Sequence, residues 1–167
     1  MSLTRTFVLA GSLLAATTAG ADASPPRYAH AIEEELSAMG IDARCELRAD
    51  RRQHCSYSRA SSTERRKLDV EAVYSDESDT VYVYVARYLV LPPDAPTTQT
   101  VLRRLMELNW ELLLGKFEWN PRSGEVRLSA MLSTDSNFDR RAFRSLIHGL
   151  EALATRHEPE LRGLSSQ

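Results

Sequence analysis

Apolar positions along this chain change period several times, and each change marks an element. They recur at Tyr28, Ile32, Leu36 and Met39, the one-sided spacing of a helix, with Glu33, Glu34 and Glu35 on the solvated side. Gly40 follows at C′, where positive φ is easy, and Ile41 can fold back on Leu36. The period then drops to two. Residues 43–49 and 53–60 read as strands folded about Asp50, and "KLDVEAVY" sets Leu68, Val70, Ala72 and Tyr74 on one side with charges between. After the polar turn "SDESD", the run "TVYVYVARYLVL" over 80–91 is apolar on both sides except at Arg87. Such a strand is central and covered on both faces, or has one face against a second subunit.

A Pro-rich loop, "LPPDAPTTQ", leads into a helix expected over 97–114, with Leu102, Leu105, Met106, Asn109, Leu112 and Leu113 on one face. Asn109 thus interrupts an apolar stripe. A buried amide must find partners or cost about 1–3 kcal/mol, so Asn109 either bonds nearby backbone, as at the helix C-terminal turn, or faces a ligand. Gly115 breaks the helix. "KFEWN" alternates with Phe117 and Trp119 inward, "PRSG" turns, and "EVRLSAML" alternates with Val126, Leu128, Ala130 and Leu132 inward. Asp139 suits the N-cap of a last helix, with Phe138 and Phe143 placed as a hydrophobic staple. Phe143, Leu146, Ile147, Leu150, Leu153 and Ala154 form its apolar face, and the tail over 161–167, beyond Pro159, is expected to fray. The pattern predicts an α+β fold: an antiparallel sheet with helices packed on it, in the order α-β-β-β-β-α-β-β-α.

A length of 167 residues suits one domain once the N-terminus is set aside. "MSLTRTFVLAGSLLAATTAGADA" has one basic residue, an apolar run and then small residues fitting an A-x-A cleavage rule. Residues 1–23 therefore read as a signal peptide, with cleavage near Asp22 or Ser24. The apolar run is shorter than the roughly 20 residues that span a bilayer. The mature chain is expected in the periplasm or outside the cell, with no membrane insertion after cleavage. In that compartment Cys45 and Cys55, the only cysteines, favour a disulfide, and a hairpin folded about Asp50 sets them opposite each other. Zinc would need four ligands and only His54 is near; a redox pair would need C-x-x-C spacing.

Nothing in the chain carries a catalytic signature. Nucleophile-elbow, zincin, P-loop and dinucleotide motifs are absent, and His30, His54, His148 and His157 are scattered. No cofactor or metal is implied. The net charge of −2 gives no bias toward nucleic acid. Locally the charge is uneven: Arg44 to Lys67 holds eight basic and three acidic residues, and Leu68 to Pro96 one basic and six acidic. With Tyr57 the only aromatic among those arginines, the expectation is charge pairing across strands, not a nucleic-acid surface.

The stretch "LRRLMELNWELLLGKFEWNPRSGEVRLSAML" resembles the YbjN family in its Leu-Asn near a helix end, its Gly-Lys-Phe step into a strand and its Gly-Glu-Val turn. "FDRRAFRSLIHGLEALA" is similar to that family's closing helix. The resemblance implies a single domain over 24–160 with a type III secretion chaperone-like fold. It makes Asn109, Gly115, Phe117 and Gly124 fold markers and leaves Trp110, Lys116 and Trp119 as a candidate interaction surface. It implies a non-enzymatic role, chaperone-like or regulatory, under the label of sensory transduction regulator. The partner would be an unidentified protein or peptide, engaged through sheet and helix surface, and chaperones of this fold form homodimers. The other classes to weigh are an enzyme with an unrecognised site, betrayed by converging polar groups in a pocket, and a structural accessory protein.

Overall fold

Gly40 stops the first helix as its sequence position requires. The computed structural model describes residues 24–60 and 67–166, so the expected leader over 1–23 lies outside the described residues. Helix α1 spans Ala29–Ala38, and Gly40 beyond it takes φ +69°. Ile41 N–H donates to the Leu36 carbonyl at 3.0 Å and Gly40 N–H to that of Ser37 at 2.9 Å. These two bonds satisfy carbonyls that a helix end leaves free.

Four strands follow: β1 (Arg44–Leu47), β2 (Gln53–Ala60), β3 (Lys67–Ser75) and β4 (Thr80–Val90). Helix α2 (Thr98–Glu111) precedes the hairpin of β5 (Lys116–Trp119) and β6 (Glu125–Ser133), and α3 (Arg140–Ser165) closes the chain. The strands form one antiparallel sheet in the order β1-β2-β3-β4-β6-β5. The expected element order and fold class are those observed.

Period-two alternation aims one side chain in two at the helices. Val70, Ala72, Tyr74, Val81, Val83, Val85, Val126 and Leu128 are buried in one core with Phe143, Leu146, Ile147 and Leu150 of α3. Each fully buried aliphatic side chain there contributes about 1.5–3 kcal/mol. Asp139 caps α3 by accepting from Ala142 N–H at 2.9 Å, and the Phe138 and Phe143 rings lie 5.3 Å apart as a staple. The other face of β4 is covered by the sheet's own side chains: Tyr82 and Tyr84 lie 5.2 Å apart, and the Arg127 guanidinium stacks 4.5 Å above the Tyr84 ring.

Several expectations from the pattern are corrected. Helix α2 ends at Glu111 and is rotated: Thr98, Val101, Leu105 and Leu108 are buried, while Met106 and Leu113 are exposed. The helix carries two apolar stripes, and periodicity alone cannot choose between them. Glu35 is buried, not solvated, because Arg140 and Arg144 of α3 both bond its carboxylate. Those bonds, that of Arg144 foremost, hold the Glu35 carboxyl below its ordinary range. The end of the chain does not fray at 161: α3 runs through Pro159 to Ser165, with Leu161 fully buried and Arg162 donating to Glu158 at 2.9 Å. Strand β4 is interrupted by a register shift between Val85 and Leu89, where Arg87 takes φ +47°. Two arginines of the first hairpin find partners elsewhere than on β3: Arg48 bonds Glu46 and Arg59 reaches Glu151 of α3.

Candidate functional site

A sheet of finite width ends in two strands whose outward N–H and C=O groups lack a neighbour, and those edges are where another chain can pair. The two edges here are treated differently. At the β5 edge, Asn109 reaches across from the last turn of α2. Its Nδ2 donates to the Phe117 carbonyl at 3.0 Å, and its Oδ1 accepts from Phe117 N–H at 2.7 Å. Both outward groups of Phe117 are thereby occupied by one carboxamide, which stands in for a residue of a seventh strand. The amide in the apolar stripe thus bonds backbone, but backbone of the next strand and not of its own helix turn. Gly115 makes the step possible: its φ is +77°, and a Cβ there would lie 3.0 Å from the Ser129 carbonyl oxygen.

The β1 edge is open. Arg48 N–H donates inward to the Arg52 carbonyl at 3.0 Å, so by alternation the backbone groups of Cys45 and Leu47 point outward. The 4.0 Å Cα separation of Cys45 and Cys55 agrees, being the close spacing of a non-hydrogen-bonded pair. Among the described residues nothing bonds those outward groups. Beside them runs a groove of about 500 Å³ between α1 and the start of β1, lined by Glu33, Ser37, Ile41, Asp42 and Cys45. The Cys45–Cys55 disulfide, with sulfurs 2.05 Å apart, fastens this short edge strand to β2.

The face of the sheet away from the helices is polar and internally bonded. The Tyr84 hydroxyl donates to Glu71 at 2.6 Å, and that of Tyr82 to Glu118. Burial, reinforced by the Glu118 carboxylate, pushes the Tyr82 hydroxyl up to about 12. Burial raises the Glu118 carboxyl, but hydrogen bonds from Tyr82 and Lys116 outweigh it and bring the group below its usual range. His54 lies on this face with its nitrogens 3.8 Å from Asp50 and Glu71. Among the described residues no three His, Cys, Asp or Glu side chains are grouped as a metal site would need. No described helix is long and apolar enough to cross a membrane.

The three residues singled out as a surface do not share one. Trp110 projects from α2 at 92% exposure, together with Met106, and Leu113 is exposed just beyond the end of the helix. Lys116 is exposed and pairs with Glu118 at 2.9 Å on the open sheet face. Trp119 lies on the other face of β5, half-buried, its indole N–H donating to the Leu91 carbonyl at 3.1 Å. Gly124 has φ +71°, and a Cβ there would meet the Leu91 carbonyl oxygen at 2.8 Å. The open β1 edge was not singled out from sequence. The available signal was the brevity of the first hairpin and its poverty in large apolar residues.

Comparison with known proteins places this arrangement. The family model YbjN, described as "Putative bacterial sensory transduction regulator", matches residues 29–162. No curated protein matches the chain. Among solved structures the fold is similar to one titled "Crystal Structure of the ExsC-ExsE Complex", with a TM-score of 0.55 and 15% sequence identity over 80% of this chain and 92% of that one.

Proposed function

The chain belongs to the YbjN family, and from that premise we propose that it is a non-enzymatic module that binds an extended protein or peptide segment by strand addition along β1, outside the cytoplasm after loss of residues 1–23. The observation that carries this reading is the asymmetry of the sheet's edges. On β5 Asn109 covers the outward groups of Phe117 and leaves only those of Trp119 unbonded among the described residues, whereas on β1 the outward groups of both Cys45 and Leu47 are unbonded beside a groove. Main-chain bonds along such an edge supply affinity, and side-chain pockets supply selectivity. The similar structure is, by its title, a complex, which agrees with a protein partner. The polar groups of the open sheet face bond one another instead of converging on a cavity, which favours a binding role over catalysis.

Leu47→Pro tests it. Proline removes the outward N–H of residue 47 and no ladder bond, so the fold tolerates it as edge strands do. A photo-crosslinker at Glu46 should form adducts in intact cells, with extracytoplasmic proteins or peptides, and Leu47→Pro should abolish them. A crosslinker at Arg122, in the β5–β6 turn, should form none. Adducts that persist in Leu47→Pro, or that form equally at Arg122, would remove strand addition at β1.

A further inference from the structure

Gln53 carries a buried oxygen that nothing bonds. The residue is 4% exposed, and its Nε2 donates to Glu33 of α1 at 2.6 Å. A carboxylate only accepts, so the amide nitrogen must face Glu33 and the other end of the amide is an acceptor. That acceptor, Oε1, is buried and has no partner among the described residues. An acceptor left so is destabilising, and a donor belongs beside it. Gln53 stands opposite Leu47 across the β1–β2 pair, and Glu33 lines the groove beside β1. The orphan oxygen therefore lies at the end of that groove, beneath the open edge.

The charges of the groove say what donor it takes. Of the glutamate run on α1, Glu34 accepts from Arg140 at 2.7 Å, and Glu35 from Arg140 at 3.2 Å and from Arg144. Glu33 has only the neutral Gln53 amide among the described residues. Asp42, where the chain leaves α1 for β1, is exposed and makes no hydrogen bond or ion pair among them. Both carboxylates line the groove with Ser37 and Cys45, and no basic side chain does. Acceptors converge there without a cation. We propose that the groove receives a lysine side chain of the segment that adds to β1. The inference rests on strand addition at that edge and names the residue the added strand must carry.

Alternation places that lysine. The segment pairs with the outward groups of Cys45 and Leu47, so the residues set against those two turn to the same face of the sheet, the face of α1. The residue against Cys45 enters the groove, its neighbours on either side turn to the open face, and the one against Leu47 meets an exposed leucine. Arginine grips a carboxylate by two parallel bonds, and one oxygen of Glu33 is already taken by Gln53. An ammonium is a compact charge with three freely turned donors, which suits separate oxygens on Glu33, Asp42 and Gln53. Its carbon stem can lie along Ile41 and Ala43, which also line the groove.

Panning a displayed library of random nonapeptides on the purified protein tests it, with Leu47→Pro panned in parallel. Peptides that bind wild type and are lost on Leu47→Pro should share a lysine at one fixed position. In such a peptide, norleucine in place of that lysine keeps the stem and removes the charge. It should weaken binding on the order of tenfold, a modest factor because Glu33 and Asp42 are exposed to solvent. The lysine advantage should disappear in the double variant Glu33→Gln with Asp42→Asn, which removes both charges and keeps an acceptor for Gln53. It should survive Glu46→Gln, whose carboxylate lies on the opposite face of β1 by alternation. Circular dichroism confirms that each variant is folded. Leu47-dependent peptides without a fixed lysine, or a lysine advantage that outlasts the double variant, overturn the inference and leave strand addition standing. Binders indifferent to Leu47→Pro, or no binders at all, overturn strand addition and this inference with it.

Discussion

Replacing Asn109 by Ala should cost more stability than deleting an exposed helix residue would, because among the described residues its carboxamide is the only partner of two outward backbone groups. The structure gives it one bond to each polar group of Phe117, at 3.0 and 2.7 Å. A neutral hydrogen bond is worth about 0.5–1.5 kcal/mol net, and a part-buried N–H left without a partner adds to the loss. The expected sum is about 2–3 kcal/mol, which for a domain of this size lowers Tm by roughly 6–10 °C. Urea unfolding followed by circular dichroism measures it, with a midpoint shift of about 1 M or more and an unchanged slope. Asn109→Asp separates the two bonds. It keeps an acceptor for Phe117 N–H but sets a carboxylate against the Phe117 carbonyl, so it should be no better than Ala and should recover as pH falls and the acid protonates. A loss under about 0.5 kcal/mol for Asn109→Ala, inside the range of ordinary surface changes, would refute the account of Asn109 as the partner of Phe117 at the β5 edge.

Other outcomes follow from named geometry. Gly124→Ala should destabilise by about 2–3 kcal/mol, since positive φ and a clash act together, whereas Gly40→Ala, at similar φ with nothing within 4 Å, should lose only about 1 kcal/mol; paired denaturant midpoints compare them. Changing Cys45 and Cys55 together to Ser should lower stability by about 1–3 kcal/mol, as expected for closing so short a loop, and thiol titration of the native protein should find no free thiol. Stability should also fall on acidification in two windows. Burial lowers the His157 imidazole below its ordinary 6.5, so the unfolded chain takes up that proton first and stability drops as pH falls below about 6.5. Glu35 is held below 4.5 by Arg144 and Arg140, so its contribution is present above pH 4.5 and is lost as pH falls through its lowered value. Tm against pH checks both, and His157→Asn should flatten the upper window alone.

Much of the architecture was legible because local chemistry and tertiary packing agree. The stop at Gly40, the cap at Asp139 and the pairing of Cys45 with Cys55 each depend on residues close in sequence. The misreadings share one cause: tertiary partners distant in sequence. Nothing near Glu35 announces that Arg140 and Arg144 will cover it. Pro159 reads as a helix end, yet Leu161 is buried beyond it and holds the helix to the core. Asn109 was legible as an anomaly in an apolar stripe, but the choice of face for α2 was not, since Met106 and Leu113 fit a seam as well as Val101 and Leu108 fit the core. The open β1 edge was illegible for a different reason. It is defined by backbone direction in one hairpin and by the lack, among the described residues, of a strand beyond β1, and side-chain pattern records neither.

Amide hydrogen exchange, read residue by residue in the free protein and again with the polypeptide captured through the Glu46 crosslinker, tests the central claim most directly. In the free protein Phe117 N–H should be protected by Asn109, while the amides of Cys45 and Leu47 exchange rapidly. With the polypeptide bound, Cys45 and Leu47 should slow by at least an order of magnitude, as edge amides do when they enter a ladder, and Phe117 should not change. Slowing confined to β5 or α2, with Cys45 and Leu47 still exchanging as in the free protein, would contradict the account.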